Sequence, residues 1–268
     1  MFSAASSDKS ARSPESLFNA RRQDEPTAPF VTFYDDATGE RAELSASSLG
    51  NWIAKVHFLL LDSLGLGVGD QAVVRTPVHW LAAPILFGCW FAGLEVLTSP
   101  PTDRAAVLFA DAGSLAELAA GAASPAGPAA PAGSALPADE VFAVSLLSMA
   151  RPDQPPAGAE DFTTAVRPMP DAWPSVQPQA GPDAAGLDGL SRSQLVERGQ
   201  QLAAELGLRP GGRLLWTTDW AQATDPAPEL IGALLAPLAV GGSVVLVRNP
   251  DPNQLDQRIG AERVTAVH

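Results

Sequence analysis

The sequence predicts an α/β protein made of two similar layered α/β subdomains with mainly parallel sheets. Short apolar strands alternate with apolar helices along the chain, an order that favours parallel strands joined by right-handed crossovers. The same order of cap, helix, glycine turn and strand appears in both halves. Hydrophobic residues make up 46% of the 268 residues and charged residues 18%, which is enough apolar material for a sizeable core.

The first half contains a strand pair followed by two helix–strand units. The turn between the paired strands is rich in Asp and Gly, as hairpin turns are, and the first long helix carries apolar residues at spacings of three and four. The predicted elements are strand 30–34, returning strand 41–44, a helix from Ser45 or Ser47 to about Leu64, strand 72–74, helix 80–91 and strand 95–98, with further candidate strands at 107–109 and 141–144. This order predicts a βαβαβ unit.

The second half repeats the signals of the first. The segment Leu44–Leu49 recurs as Leu190–Leu195, and the glycine-containing turn Leu64–Asp70 recurs as Leu206–Gly212. Each turn is followed by an apolar strand, an apolar helix that ends in glycine and a second strand. Any two α/β units share such elements, but their ordered match favours a repeat over chance.

The repeat sets the predicted domain organisation, with superimposable units at about 40–100 and 188–248. The stretch Gly121–Pro137 is almost entirely Ala, Gly, Pro and Ser, so we expect it to be mobile. Residues 150–186 are rich in Pro and Gly and are expected to form an extended loop. The predicted segments are a tail and a short helix started by Ser13 at 1–27, a first subdomain at 28–110, a linker with the insertion and the loop at 111–187, and a second subdomain at 188–268.

Charge and hydropathy exclude several classes of partner. The net charge is −13 and the only lysines are Lys9 and Lys55, so nucleic acid and anionic membranes are not expected to bind. The N-terminus is polar and charged, so we expect no signal peptide. The uncharged stretch Leu230–Val247 contains a proline and a glycine pair, so a helix, a turn and a strand explain it better than a membrane span. We expect a cytoplasmic protein.

Several segments resemble the N-terminal domain of adenylate-forming (AMP-binding) enzymes. Leu66–Val73 resembles the "G-x-x-x-GD-x-V" turn and strand of that family, Trp90–Leu97 its "KAGAxxVPL" helix end, and Leu235–Leu246 its "LAPLxxGGxVVL" segment. Residues 33–41 and 51–55 look closer still to an uncharacterised group of short actinobacterial proteins related to these enzymes. The resemblance implies the two-subdomain fold and describes the chain as a truncated relative.

The chain departs from the family where the family binds phosphate. Family members carry a Ser/Thr/Gly-rich loop that ends in Pro-Lys, whose N–H groups, hydroxyls and lysine cradle phosphate oxygens. The equivalent residues 180–189 contain no Ser, Thr or Lys, and they include Asp183 and Asp188. The downstream motifs of the family for adenine, ribose and Mg²⁺ are absent from the sequence as well. We therefore expect no adenylation, and we assign no catalytic, cofactor-binding or metal-binding residue.

Three functional hypotheses follow from this departure. The first is a non-catalytic relative, or pseudoenzyme, that acts in protein interaction or as a scaffold. The second is a module that binds a small acyl or nucleotide ligand between the subdomains. The third is an enzyme with rebuilt chemistry, and the residues that could support it are Trp216, Asp219, Trp220 and His79.

The remaining chemically active side chains are expected to be structural. A lone histidine is more often packed or capping than catalytic, which applies to His57 and to His79. The single cysteine, Cys89, lies in an apolar helix and is expected to be buried and unreactive. Four acids are expected on the surface at loops and helix starts, namely Asp103, Asp111, Asp139 and Glu140.

A strand at 264–267 is predicted close to the last residue of the sequence. An apolar strand at a sheet edge exposes unpaired backbone groups, so something should cover it. We expect a second copy of the chain or another protein to do so. The helix around Leu17 and Phe18, or the 150–186 loop, could cover it instead within a monomer.

Overall fold

A computed structural model describes residues 12–122, 136–147 and 155–268. The predicted N-terminal tail, apart from Arg12, and residues 123–135 of the predicted mobile stretch therefore lie outside the described residues. Both ends of that stretch belong to the fold, because Gly121 lies in a helix and Leu136 is buried.

The described chain begins with a capped helix and continues as alternating strands and helices. The elements are α1 (Pro14–Asp24), β1 (Pro29–Asp35), β2 (Glu40–Ser45), α2 (Ala46–Phe58), β3 (Gln71–Arg75), α3 (Ala82–Ala92), β4 (Glu95–Leu97), β5 (Ala105–Ala110), α4 (Ala112–Ala122), β6 (Ala138–Ala143), β7 (Glu160–Asp161), α5 (Phe162–Val166), β8 (Ala185–Leu187), β9 (Leu190–Ser191), α6 (Arg192–Glu205), β10 (Arg213–Trp216), α7 (Pro226–Leu230), α8 (Ala236–Ala239), β11 (Ser243–Arg248), α9 (Pro252–Ala261) and β12 (Ala266–Val267). As predicted, Ser13 caps α1.

The described strands form two sheets. The larger has the order β7-β6-β5-β3-β4-β8-β9 and the smaller the order β12-β10-β11-β1-β2. Only the hairpin pairs β1–β2 and β8–β9 are antiparallel within the described sheets. The predicted α/β class with mainly parallel sheets is confirmed, and the two candidate strands near 107 and 141 are present as β5 and β6.

Each half of the chain contributes its leading hairpin to the sheet of the other half. Strand β1 pairs with β11, with Val31 opposite Val244, and β8 pairs with β4, with Val96 opposite Leu187. The prediction that strand 30–34 joins strands 72–74 and 95–98 in one sheet is therefore wrong. An apolar strand pattern shows that a strand is buried, but it does not select the partner.

The repeat is visible in the backbone hydrogen bonds at the start of α2 and α6. In both helices the N-cap serine, Ser45 or Ser191, accepts an N–H from the third helical residue. The first two N–H groups of each helix also donate to the segment before the hairpin strands, in the pairs Ala46 to Ala28, Ser47 to Pro26, Arg192 to Ala184 and Ser193 to Pro182. Equivalent local sequences therefore build equivalent local structures.

The core lies between the sheets around α3, all of whose residues are buried. A Cβ on Gly88 would overlap the side chain of Val56, so this glycine allows α2 and α3 to approach closely. Helix α1 also packs into the core, where Phe18 contacts Phe30, Phe87 and Trp173. Leu17 and Phe18 are therefore occupied in the core and are not available to cover the C-terminal strand.

The 150–186 region is more ordered than the sequence predicted. Within its described part, 155–186, the chain forms β7, α5 and a 3-10 turn at Trp173–Ser175. Its apolar residues Phe162, Val166, Trp173 and Val176 are buried. Isolated apolar anchors among Pro and Gly have no period, which explains why the sequence pattern missed them. No helix of the described ranges is long and apolar enough to cross a membrane.

Candidate functional site

The segment expected to replace the phosphate loop forms the β8–β9 hairpin and the turn before it. The carboxylate of Asp188 accepts hydrogen bonds from the N–H of Thr98 at 2.9 Å and from its hydroxyl at 2.7 Å. The N–H of Gly189 donates to Glu95 Oε1 at 3.0 Å. This turn therefore uses the N–H of Gly189 and the carboxylate of Asp188 to bind β4 and the residue after it. The carboxylates of Asp183 and Asp188 would repel phosphate.

His79 lies in the turn between β3 and α3 and is buried between the two sheets. Its Nδ1 accepts the N–H of Leu81 at 3.2 Å, and its ring packs edge-on against Phe33 with centroids 4.7 Å apart. Its Nε2 is 3.7 Å from Glu40 Oε1. Burial lowers the pKa of His79, and the neighbouring Glu40 partly opposes that shift.

Two of the other residues considered for rebuilt chemistry dock onto the same turn. Asp219 Oδ1 accepts the N–H of Val78 at 3.1 Å, and Trp220 Nε1 donates to the carbonyl of Thr76 at 2.8 Å. The structure thus brings His79, Asp219 and Trp220 together around residues 76–81. Each uses a polar atom to hold main-chain groups, so the cluster joins the loop after β10 to the turn after β3.

Trp216, the fourth of these residues, lies apart from the turn. Its ring stacks on His268 with centroids 3.9 Å apart, and its Nε1 donates to the carbonyl of Thr218. His268 Nε2 is also 3.5 Å from Glu229 Oε2. Trp216 therefore anchors the segment that follows β12, while Val267 in β12 keeps 54% of its surface exposed.

The remaining reactive side chains occupy structural positions. Cys89 is buried and its thiol pKa is raised by that burial. His57 is buried in α2, and burial lowers its pKa. Asp111 caps α4 through Ser114 and Gly113. The acids Asp103, Asp139 and Glu140 are exposed, as predicted. The described ranges contain no group of three His, Cys, Asp or Glu residues that could hold a metal.

A buried ion pair that sequence reasoning missed joins α1 to α6. Glu15 and Arg192 are both 0% exposed and form a hydrogen-bonded salt bridge. The guanidinium also donates to the carbonyls of Trp90 at 2.6 Å and Leu94 at 3.3 Å, at the C-terminal end of α3. Burial lowers the pKa of Arg192 to about 10. No sequence signal links residues so far apart in the chain.

A second missed network fastens α9 to the smaller sheet. Arg258 forms a bidentate salt bridge with Asp36 and lies over the ring of Tyr34 at 4.3 Å. The Tyr34 hydroxyl donates to Glu262 at 2.5 Å, and Arg213 pairs with the same glutamate. These groups neutralise one another, so the network supports the fold.

An open cleft of about 460 Å³ lies where the β8–β9 turn meets α6 and α7. Its floor is apolar and includes the buried Ile231, and its rim carries carboxylates, amides and one guanidinium. The lining residues are Asp188, Leu190, Gln194, Glu197, Arg198, Gln201, Asp225, Ala227, Pro228 and Ile231. The cleft is large enough for a small organic molecule.

The fold is shared with solved adenylate-forming enzymes. A fatty acyl CoA synthetase of Mycobacterium tuberculosis matches with a TM-score of 0.66 and 13% identity, over 94% of this chain and 48% of the enzyme. The Brucella canis acyl-CoA synthetase gives 0.67 and 17%, over 92% and 45%. MbtA of Mycobacterium smegmatis gives 0.66 and 18%, over 94% and 47%. The chain spans about half the length of these structures, and the similarity confirms the fold of the N-terminal domain of AMP-binding enzymes.

A scan against protein-family profiles finds no match. A protein of Mycobacterium tuberculosis (strain ATCC 25618 / H37Rv) described as a TIGR03089 family protein is 39% identical over 245 residues. The alignment covers 91% of this chain and 92% of that protein. The chain therefore belongs to the TIGR03089 family.

Proposed function

We propose that the chain is a cytoplasmic, non-catalytic protein with the fold of adenylate-forming enzymes, and that it acts in protein interaction or as a scaffold. The observation that carries this proposal is the Asp188–Thr98 pair. Where the enzymes would cradle phosphate, the carboxylate of Asp188 in this chain holds the β8–β9 turn against Thr98. A carboxylate at that place disfavours a triphosphate, because like charges repel.

The residues considered for rebuilt chemistry support the same proposal. His79, Asp219 and Trp220 each form a hydrogen bond to a main-chain group. A general base must reach the proton that it removes, whereas the Nδ1 of His79 already accepts the N–H of Leu81. An interaction role is supported by the exposed Val267 on β12, which lies at the edge of the smaller sheet as described.

Thermal denaturation with added ligands tests this proposal. Purified protein is heated alone and with MgATP, AMP or a series of acyl-CoAs. A ligand present at about 100 times its dissociation constant adds about 2.7 kcal/mol of stability, which would raise the melting temperature by several degrees. We expect no change with any nucleotide. A saturable rise with MgATP would contradict the proposal.

The cleft of about 460 Å³ favours small-molecule binding as a second candidate function. In that case an acyl-CoA should raise the melting temperature while MgATP does not. The variant Gln201→Trp would fill the cleft and should abolish that rise. Glu205→Trp, on the same helix but outside the cleft lining, is the matched control and should keep it. A rise that persists in Gln201→Trp would place the ligand elsewhere.

A further inference from the structure

His79 is surrounded by charged side chains from the opposite sheet. Asp35 of β1 lies opposite Glu40 of β2 and opposite Arg248 of β11, so these three residues form one row across the sheet. Within the row, Glu40 Oε1 lies 3.7 Å from the Nε2 of His79. From the loop after β10, Asp219 binds the residue that precedes His79. The smaller sheet, the turn after β3 and the loop after β10 therefore meet at this imidazole.

The hydrogen bonds assign the protonation state of the imidazole. Because Nδ1 accepts the N–H of Leu81, the proton of a neutral His79 resides on Nε2, which faces the Glu40 carboxylate. A second proton can only be added at Nδ1. An imidazolium has two donors and no acceptor, so protonation would remove the acceptor of the Leu81 N–H at the start of α3.

We propose that His79 is a pH-responsive latch that couples the two halves of the molecule. In its neutral form it fixes the 76–81 turn, on which Asp219 and Trp220 hold the loop after β10. Protonation at Nδ1 breaks the bond to Leu81 and favours an open arrangement in which the imidazolium is exposed to water. The turn then releases the 217–222 loop, and this one contact between the halves opens while the paired strands stay in place.

The direction of the response follows from linkage. Burial lowers the pKa of His79 in the closed form, whereas a solvent-exposed histidine has a pKa of about 6.5. The open form therefore binds more protons than the closed form below about pH 6.5. The closed form keeps its full stability above that pH and loses stability as the pH falls through it.

Hydrogen exchange of the two contacting segments tests the latch. The peptides covering 76–81 and 217–222 are followed at pH 7.5 and pH 5.5, with rates corrected for intrinsic exchange. Opening in the wild type should be up to about tenfold more frequent at pH 5.5, because one pH unit below the open-form pKa changes the equilibrium about tenfold. An unchanged corrected rate in both segments would overturn the proposal.

The variant His79→Asn distinguishes the latch from other effects of low pH on the protein. Asparagine keeps an acceptor where Nδ1 stands but cannot be protonated, so its two segments should exchange at the same corrected rate at both pH values. His57→Gln is the matched control, since His57 is also buried with a lowered pKa, and it should keep the response. A response that survives in His79→Asn would contradict the latch.

A titration of the wild-type histidines keeps the proposal testable if His79→Asn does not fold. The imidazole signals of His57, His79 and His268 are followed by NMR, and His57→Gln and His268→Gln assign them. The His79 signal should titrate below the usual histidine range, together with shifts in the amide of Leu81. A titration at or above about 6.5, or one without a change at Leu81, would overturn the latch.

Discussion

Replacing Gly242 with alanine should prevent the smaller sheet from forming correctly. A Cβ at this position would overlap the carbonyl of Gly212, which belongs to the backbone and cannot rotate away. The same carbonyl accepts the N–H of Ser243 at 3.0 Å where β10 and β11 begin to pair. We expect a loss of more than about 4 kcal/mol in the free energy of unfolding, the range of a severe backbone or packing defect, or no folded protein at all. Urea denaturation followed by tryptophan fluorescence measures it.

Gly260→Ala is the matched control for this substitution. Gly260 lies in α9, and a Cβ there would meet no atom within 4 Å. Alanine favours a helix over glycine by about 1 kcal/mol, so this variant should be as stable as the wild type or slightly more stable. If Gly242→Ala unfolds at the same urea concentration as Gly260→Ala, that result would contradict the close approach of Gly242 to Gly212 at the start of β10 and β11.

Arg192→Met should cause the second large loss of stability. The substitution strands the Glu15 carboxylate, which is fully buried, and removes the donor to the carbonyls of Trp90 and Leu94. Breaking a buried ion pair by removing one partner costs about 3–5 kcal/mol. The free energy of unfolding from urea denaturation should fall by that amount.

Two variants identify the buried charge as the cause. Arg198→Met changes the same residue type on the same helix, but the Arg198 side chain is 41% exposed beside Glu205, so the loss of stability should be below about 1 kcal/mol. The double variant Glu15→Leu with Arg192→Met leaves no stranded charge and should recover part of the stability. Equal losses in the free energy of unfolding for Arg192→Met and Arg198→Met would show that the buried Glu15–Arg192 pair stabilises the fold no more than an exposed pair does.

The fold class could be predicted because local signals determine it. Serine caps, helical spacing of apolar residues and glycine turns occur within about twenty residues of one another, and the structure places α2 and α6 where those signals put them. The exchange of hairpins between the halves could not be predicted. It depends on the pairing of β1 with β11, which are separated by most of the chain, and apolar strands do not encode their partner.

The candidate site was only partly predictable for the same reason. The sequence identified Asp188 as unsuited to phosphate, but its hydrogen bonds to Thr98 depend on the pairing of β8 with β4. It named His79, Asp219 and Trp220, with Trp216, for rebuilt chemistry, but only the fold shows that the first three meet at one turn. Glu15 lies in the first turn of α1, where acids are common, and nothing in that position points to Arg192.

ATP–pyrophosphate exchange with a panel of carboxylic acids tests the proposed loss of adenylation most directly. The assay detects the formation of an acyl-adenylate from ATP, the step for which the enzymes need the phosphate loop. With protein purified by size exclusion, we predict no exchange above the control without protein for any acid. Exchange that follows the protein peak through that column would contradict the proposal that this chain keeps the fold of adenylate-forming enzymes without their chemistry.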